Sequence, residues 1–360
     1  MRRLGLFLGF ILFGSAGISK ADDVVTDKPN GRNVFVITID GFRWQELFYG
    51  ADESILESDP AAEIRPITAG TTIQERRRQL MPFVWSTIAS QGQLYGDRRR
   101  GNAVNIENFY ALSYPGYNEI FTGATDAFIS TNKKIQNRNK NVLEFLNTVS
   151  EYSGRVASFT SWDAFPFIFN AERSGVYVNS AFQKLQSGPL TGTEQVINKI
   201  LQNPLLSRGS VRNDLLTALA AKEYILSHLP KVVHIGLGGT DEAAHDKDYG
   251  RYLDEASRAD EIIGELWKMV EAHPYYRGNT TFIITTDHGR GSSPQTWHSH
   301  GMLTRGSFDT WVMLLGKGIA PVPEEQKPPQ LYQRQIAGTV GYLLGLPSYC
   351  KKTLPLHLLQ

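Results

Sequence analysis

A chain of 360 residues, 41% of them hydrophobic, is long enough to bury a sizeable core as one large domain or one domain with a cap. Its 37 lysines and arginines nearly cancel its 36 aspartates and glutamates, which excludes a nucleic-acid binder driven by net charge. The lone Cys350 excludes an intrachain disulfide, so export of this chain would rely on core packing.

In chain order, Arg2 and Arg3 precede an apolar run from Leu4 to Phe13, small residues follow, and Ser19-Lys20-Ala21 fits a small-x-small cleavage site. Residues 1–21 are expected to be a signal peptide and 22–360 a single domain, exported to the periplasm or secreted. A ten-residue apolar run is too short for a stable bilayer span, so no membrane span is expected after cleavage; an uncleaved anchor is the alternative. No cysteine lies beside the segment, which argues against a lipid-anchored lipoprotein. Without residues 1–21 the chain keeps 34 basic residues against 36 acidic ones.

Beyond it, strand-like and helix-like stretches alternate. Strands are expected at 33–39, 155–160, 231–237, 280–286 and 309–315. Helices are expected at 82–91, 141–151, 211–229, 248–272 and 330–345. Ala256, Ile263, Leu266, Trp267 and Val270 repeat at helical spacing, and Pro230 ends the helix before the third strand. This order predicts an α/β fold with a mostly parallel central sheet flanked by helices. Residues 50–80 and 162–210 have weaker periodicity and read as loops and cap elements. Arg76-Arg77-Arg78 and Arg98-Arg99-Arg100 are basic runs, either solvated faces or a rim that steers an anion.

The chemistry-bearing residues follow the strands. Asp40-Gly41 ends the apolar run Val34-Phe35-Val36-Ile37, and Asp287-His288-Gly289 ends Phe282–Thr286. Asp241 and His245 follow Val232–Leu237, and His298 and His300 come soon after Asp287-His288-Gly289. Strand ends form the ligand-binding rim of an α/β sheet. Asp241 and His245, four apart, face one side if the segment is helical. Each element alone is weak; together they make a candidate two-metal site whose carboxylate and imidazole donors suit zinc, and also manganese or iron. Upstream, Pro115 suits the first turn of a helix, placing Ser113 just before its N-terminus, where the dipole favours an oxyanion or phosphate. Alone, Ser113 reads as a helix N-cap. Beside a metal cluster it reads as a nucleophile, because a metal lowers the hydroxyl pKa.

With these residues in this order, the chain resembles the alkaline phosphatase superfamily, and within it the type I phosphodiesterase and nucleotide pyrophosphatase branch, over residues 33–316. Asp40-Gly41, Ser113-Tyr114-Pro115 with Thr122-Gly123, and Asp287-His288-Gly289 match the motifs. The resemblance implies one divalent ion on Asp241, His245 and His300, and a second on Asp40, Ser113, Asp287 and His288. It also implies Asn132, in Ile129-Ser-Thr-Asn132, as a ligand for the non-bridging phosphate oxygens, beside the amides at the helix start. Where the family has one His before Gly, His298 and His300 compete here, and His300 directly precedes Gly301. The sulfatase relatives need Ser-x-Pro-x-Arg, and this chain has Tyr117 in place of that arginine. Monoesterase relatives carry Lys-x-Arg after the second strand, and Ser161-Trp162-Asp163-Ala164-Phe165 stands there instead. Trp162, Phe165, Phe167 and Phe169 are either an apolar wall for a leaving group or core aromatics.

The expectation is a hydrolase acting on a small-molecule phosphate ester, mono- or diester, through a phosphoseryl intermediate, with two divalent ions (Zn2+, or Mn2+) as cofactors. A phosphomutase or phosphonate hydrolase on the same scaffold, and a non-catalytic metal-containing binding protein, are the alternatives.

Overall fold

The computed structural model describes residues 32–58, 70–186, 188–205, 207–324, 329–346 and 356. The expected signal segment and Cys350 lie outside these residues. Ten strands are described: β1 (Asn33–Ile39), β2 (Gln93–Tyr95), β3 (Val104–Asn105), β4 (Val156–Thr160), β5 (Tyr177–Ser180), β6 (Val232–Leu237), β7 (Thr280–Thr285), β8 (Asp309–Thr310), β9 (Val312–Gly316) and β10 (Leu331–Tyr332).

Seven of them form one sheet in the order β2-β9-β7-β1-β6-β4-β5. β1 pairs in parallel with β6 on one side and β7 on the other. β9 alone runs antiparallel to its neighbours. All seven residues of β1 are buried, as a run covered on both faces must be. The strand alternation sends Phe35, Ile37 and Ile39 into one core, with the helices Asp214–His228 and Tyr249–Ala272. Val34 and Val36 enter the other, with the helices Ser113–Thr122, Val142–Thr148 and Gln335–Leu343. In the 24-residue helix, Tyr252, Ala256, Ala259, Ile263, Leu266 and Val270 are buried along one stripe, and Asp248 caps its start on the Arg251 amide. β1 lies where the chain crosses to opposite sides of the sheet, so the ends of β1, β6 and β7 open together at a switch point.

The expected elements form, several with trimmed ends, and three readings need correction. The stretch 162–210 is more than cap: Tyr177–Ser180 is the edge strand of the main sheet, parallel to β4. Four residues that include Asn179 and Ser180 show no alternation to read. The helix Gly192–Leu201 also lies there, started by a Thr191–Glu194 capping box. The single strand expected at 309–315 divides into β8, in a small three-stranded sheet with β3 and β10, and β9 in the main sheet. Trp311 between them is buried and donates Nε1–H to Phe42 O at 2.8 Å. The described part of 50–80 holds helices at Glu53–Ser58 and Ile73–Leu80, and the helix at 82–91 passes through a π turn at Val84–Ile88.

Candidate active site

Asp40 is one residue beyond β1, its amide continuing the ladder to Leu237 O at 2.9 Å. Gly41 then turns with φ +57°, and a Cβ there would lie 2.7 Å from the Arg290 guanidinium, so both backbone angle and space require glycine. The Gly41 amide donates to Asp287 Oδ1 at 3.0 Å, and Tyr117 Oη donates to Asp40 Oδ2 at 3.0 Å. That leaves Asp40 Oδ1 and Asp287 Oδ2 buried without a hydrogen-bond partner. Both point toward His288. Its Nδ1 faces Gly289 O at 2.9 Å and must carry the proton. Its Nε2 therefore presents a lone pair, 3.6 Å from Asp40 Oδ1, 3.5 Å from Asp287 Oδ2 and 3.3 Å from Ser113 Oγ. Burial, with repulsion from Asp287, pushes the Asp40 carboxyl up to about 7, and burial pushes Asp287 up to about 7. Burial holds the His288 imidazole below its ordinary range.

The second group stands alongside. Asp241 and His245 lie on the short helix Gly239–His245 after β6, with His245 Nε2 3.0 Å from Asp241 Oδ2. His300 stacks on His288 with ring centroids 4.0 Å apart and planes 4° apart. His300 Nδ1 lies 3.0 Å from Ala111 O, which leaves Nε2 free to ligate. One ligand atom each from Asp40, Asp287 and His288 lie within 4.8 Å of one another, and the same holds for Asp241, His288 and His300. His245 is exposed and belongs to neither triplet; it reaches the second through Asp241 and a ring contact with His300 at 5.4 Å. His298 is also outside both, with its Nδ1 3.1 Å from Ser299 Oγ. Each triplet could hold a divalent cation by donor type.

Ser113 corrects one reading. It is the first helical residue, not the cap: Leu112 holds the cap position. Its Oγ faces His288 rather than a helix amide. Gly116 lets the helix approach this closely, since a Cβ there would lie 2.3 Å from Asp287 O. The loop before it is stapled. The buried Glu119 accepts the Glu107 and Asn108 amides, and Asn108 Oδ1 accepts the Ala111 amide at 3.0 Å. Ala111 is held at φ +48°, a left-handed angle that an alanine adopts only under constraint, and from there its carbonyl orients His300. Asn132 also corrects an expectation. Its Oδ1 accepts the Tyr114 amide at 2.9 Å, so that amide is already satisfied and does not face a phosphate.

Trp162 is half-buried, edge-on to Phe165 at 6.2 Å. Phe165 and Phe169 are core, packed with Phe121 around the buried His234. Asp163 binds Lys134 Nζ at 2.5 Å.

Two positioning residues escape a sequence reading. Arg290, fully buried, donates Nε–H to Gly41 O at 2.9 Å and Nη1–H to His298 O at 2.6 Å, and forms an ion pair with Asp241. Burial lowers it to about 10. The only sequence signal is its place directly after Asp-His-Gly. Asp214 accepts the Gly238 and Gly239 amides, each at 2.9 Å, and the Ser161 hydroxyl, fixing the turn that leads to Asp241.

No family model matches this chain, and no curated protein matches it. Solved structures do. The lipoteichoic acid synthase LtaP from Listeria monocytogenes aligns with 88% of this chain and 72% of its own at a TM-score of 0.56 and 11% identity. A protein in the alkaline phosphatase superfamily from Vibrio parahaemolyticus covers 88% and 67%, at 0.51 and 11%. A mutant of the alkaline phosphatase PafA covers 87% and 96%, at 0.54 and 11%. The chain has the alkaline phosphatase superfamily fold.

Proposed function

We propose that this chain is a metal-dependent hydrolase of phosphate esters, in which Ser113 takes the phosphoryl group and passes it to water. One observation carries the reading. Two buried carboxylate oxygens, Asp40 Oδ1 and Asp287 Oδ2, converge without partners on the lone pair of His288, 3.3 Å from the Ser113 hydroxyl. Unpaired buried charge costs several kcal/mol, and a divalent cation satisfies all three donors at once. Asp40, Asp287, His288 and Ser113 would hold one ion. Asp241 and His300, with His245 at the edge, would hold the other, zinc or manganese in each. When bound, the ions lower the pKa of the serine hydroxyl and offset the charge of the phosphoryl oxygens.

The protein supplies the rest. The helix that begins at Ser113 directs its positive end at the phosphate. Asn132, anchored through Oδ1, keeps its Nδ2 donors for a phosphoryl oxygen. Tyr117, bound to Asp40, stands where a sulfatase would carry arginine, which favours phosphate over sulfate. Stretch 161–165 has no basic pair, and Lys134 beside it is neutralised by Asp163. A dianionic monoester gains more from positive charge than a monoanionic diester does, so diesters should be turned over at rates comparable to monoesters. That agrees with the type I phosphodiesterase resemblance. The signal-like segment would place the substrate outside the cytoplasm.

The test is a panel of p-nitrophenyl phosphate, bis-phosphate, phosphonate and sulfate with metal-loaded protein. Phosphate esters should be hydrolysed, and Ser113→Ala should lower kcat by at least about a thousandfold with most of the metal content preserved. Retention of more than about a tenth of kcat in that variant excludes the nucleophile role. A monoester preference above about a thousandfold excludes the diester reading.

A further inference from the structure

Eleven large apolar side chains stand exposed among the described residues, and five of them lie on three segments that meet at the start of the Ser113 helix. These are Phe109 (67% exposed), Phe128 (81%), Ile135 (67%), Met302 (42%) and Leu303 (94%). The segments are tied together by the site's own bonds. Tyr110 Oη donates to Ala127 O at 2.5 Å, Tyr114 Oη to Ile135 O at 2.6 Å, and His300 Nδ1 to Ala111 O at 3.0 Å. The fold does not bury these side chains, and their clustering at one mouth is what marks an interaction surface.

The charge around them is positive in balance, because the carboxylates there are each matched by a cation and further lysines remain. Lys133, Lys134, Lys140, Arg138 and Arg305 lie on the same segments and are exposed. Arg138 pairs with Asp126 and lies over the Phe128 ring at 4.5 Å, and Lys134 pairs with Asp163. Lys133 and Lys140 make no ion pair among the described residues. Glu107, the other carboxylate there, is held by Arg334. Protruding apolar side chains inside a cationic rim complement an anionic bilayer, where rings and aliphatic tips enter the headgroup boundary and lysines meet lipid phosphates.

We propose that Phe109, Phe128, Ile135, Met302 and Leu303 form an interfacial docking surface that seats the mouth of the site on an anionic membrane. The docking stands on its own geometry. Its consequence, that phosphate esters carried by lipid headgroups are the preferred substrates, rests on the hydrolase reading above.

The experiment is flotation of the full chain with vesicles of phosphatidylcholine alone and with roughly a third phosphatidylglycerol, a fraction high enough for a strongly negative surface potential. The protein should float with the anionic vesicles, less so as salt rises. Phe128→Ser and Leu303→Ser should each weaken partitioning by about tenfold, and Lys133→Glu should weaken binding to the anionic vesicles only. All three should turn over soluble p-nitrophenyl esters as the wild type does. No flotation with either vesicle overturns the proposal, as does flotation untouched by both apolar substitutions. A dimer in sedimentation that is dispersed by Leu303→Ser would assign the surface to a second copy and overturn it as well. Flotation without any ester turnover would retain the docking and reject the hydrolase reading.

Discussion

His298 and His300 lie two residues apart, and the structure gives them different work. His300 stacks on His288 and is oriented by Ala111 O, whereas His298 contributes its carbonyl to Arg290. His300→Ala should therefore lower metal content and activity far more than His298→Ala, by about 10- to 100-fold in affinity, the range for groups that hold or orient a metal. Metal analysis after dialysis against a weak chelator would show it, and a greater loss in His298→Ala would reverse the assignment. At this scale, most of the cluster was legible, because Asp40, Asp241 and Asp287 each sit just past an apolar run. Arg290 was not. Its partners Gly41 and Asp241 are 249 and 49 residues away in sequence, and a lone arginine carries no periodicity. The use of the Asn132 oxygen on the Tyr114 amide was not legible either, because it depends on how a loop folds back.

At the scale of elements, strands with buried continuous runs and the long stripe of helix Tyr249–Ala272 could be read, because period and length both speak. β5 and the division of β8 from β9 could not, since four- and two-residue strands carry too few alternations. The short helix Gly239–His245 was conditional in the sequence, and it owes its place to Asp214, which accepts two amides of the turn before it. Asp214→Asn would set an amide donor against those donors. A loss of about 1–3 kcal/mol in urea unfolding is expected, the cost of unsatisfied buried groups, together with weaker metal binding. Unchanged stability would remove Asp214 from this role. β1, β4 and β6 share another device. His234 is buried between Thr38 Oγ1 at 3.1 Å and Ser158 Oγ at 3.0 Å, and burial lowers it to about 3. A lowered imidazole contributes stability that is present above its unfolded pKa, ~6.5, and is lost as pH falls toward 3. From pH 7 to pH 5 this one group should cost the fold about 2 kcal/mol, and His234→Gln should flatten that decline in urea titrations.

The whole molecule combines that slope with an opposite one. Without cations, Asp40 and Asp287 are raised to about 7 by burial, so the folded chain holds protons that the unfolded chain releases near pH 4. A raised carboxyl contributes stability that is complete below the unfolded pKa and lost as pH rises through the folded one. The His234 contribution is already complete above its unfolded pKa, ~6.5, so between pH 6.5 and pH 8 the carboxylates decide the slope. The chelated protein should melt at lower temperature at pH 8 than at pH 6.5, with roughly 2 °C for each kcal/mol lost in a chain of this size. A divalent cation at the proposed site would take the place of those protons and bind better as they leave, so the metal-loaded protein should gain more over the chelated form at pH 8 than at pH 6.5. Asp287→Asn should abolish most of that difference, because it removes one titrating carboxyl and a donor and relieves the repulsion that helps to raise the other, Asp40. Thermal unfolding of the four states decides the matter: equal metal gains at the two pH values would mean that Asp40 and Asp287 do not exchange protons for cations, and the proposed site would fall with them.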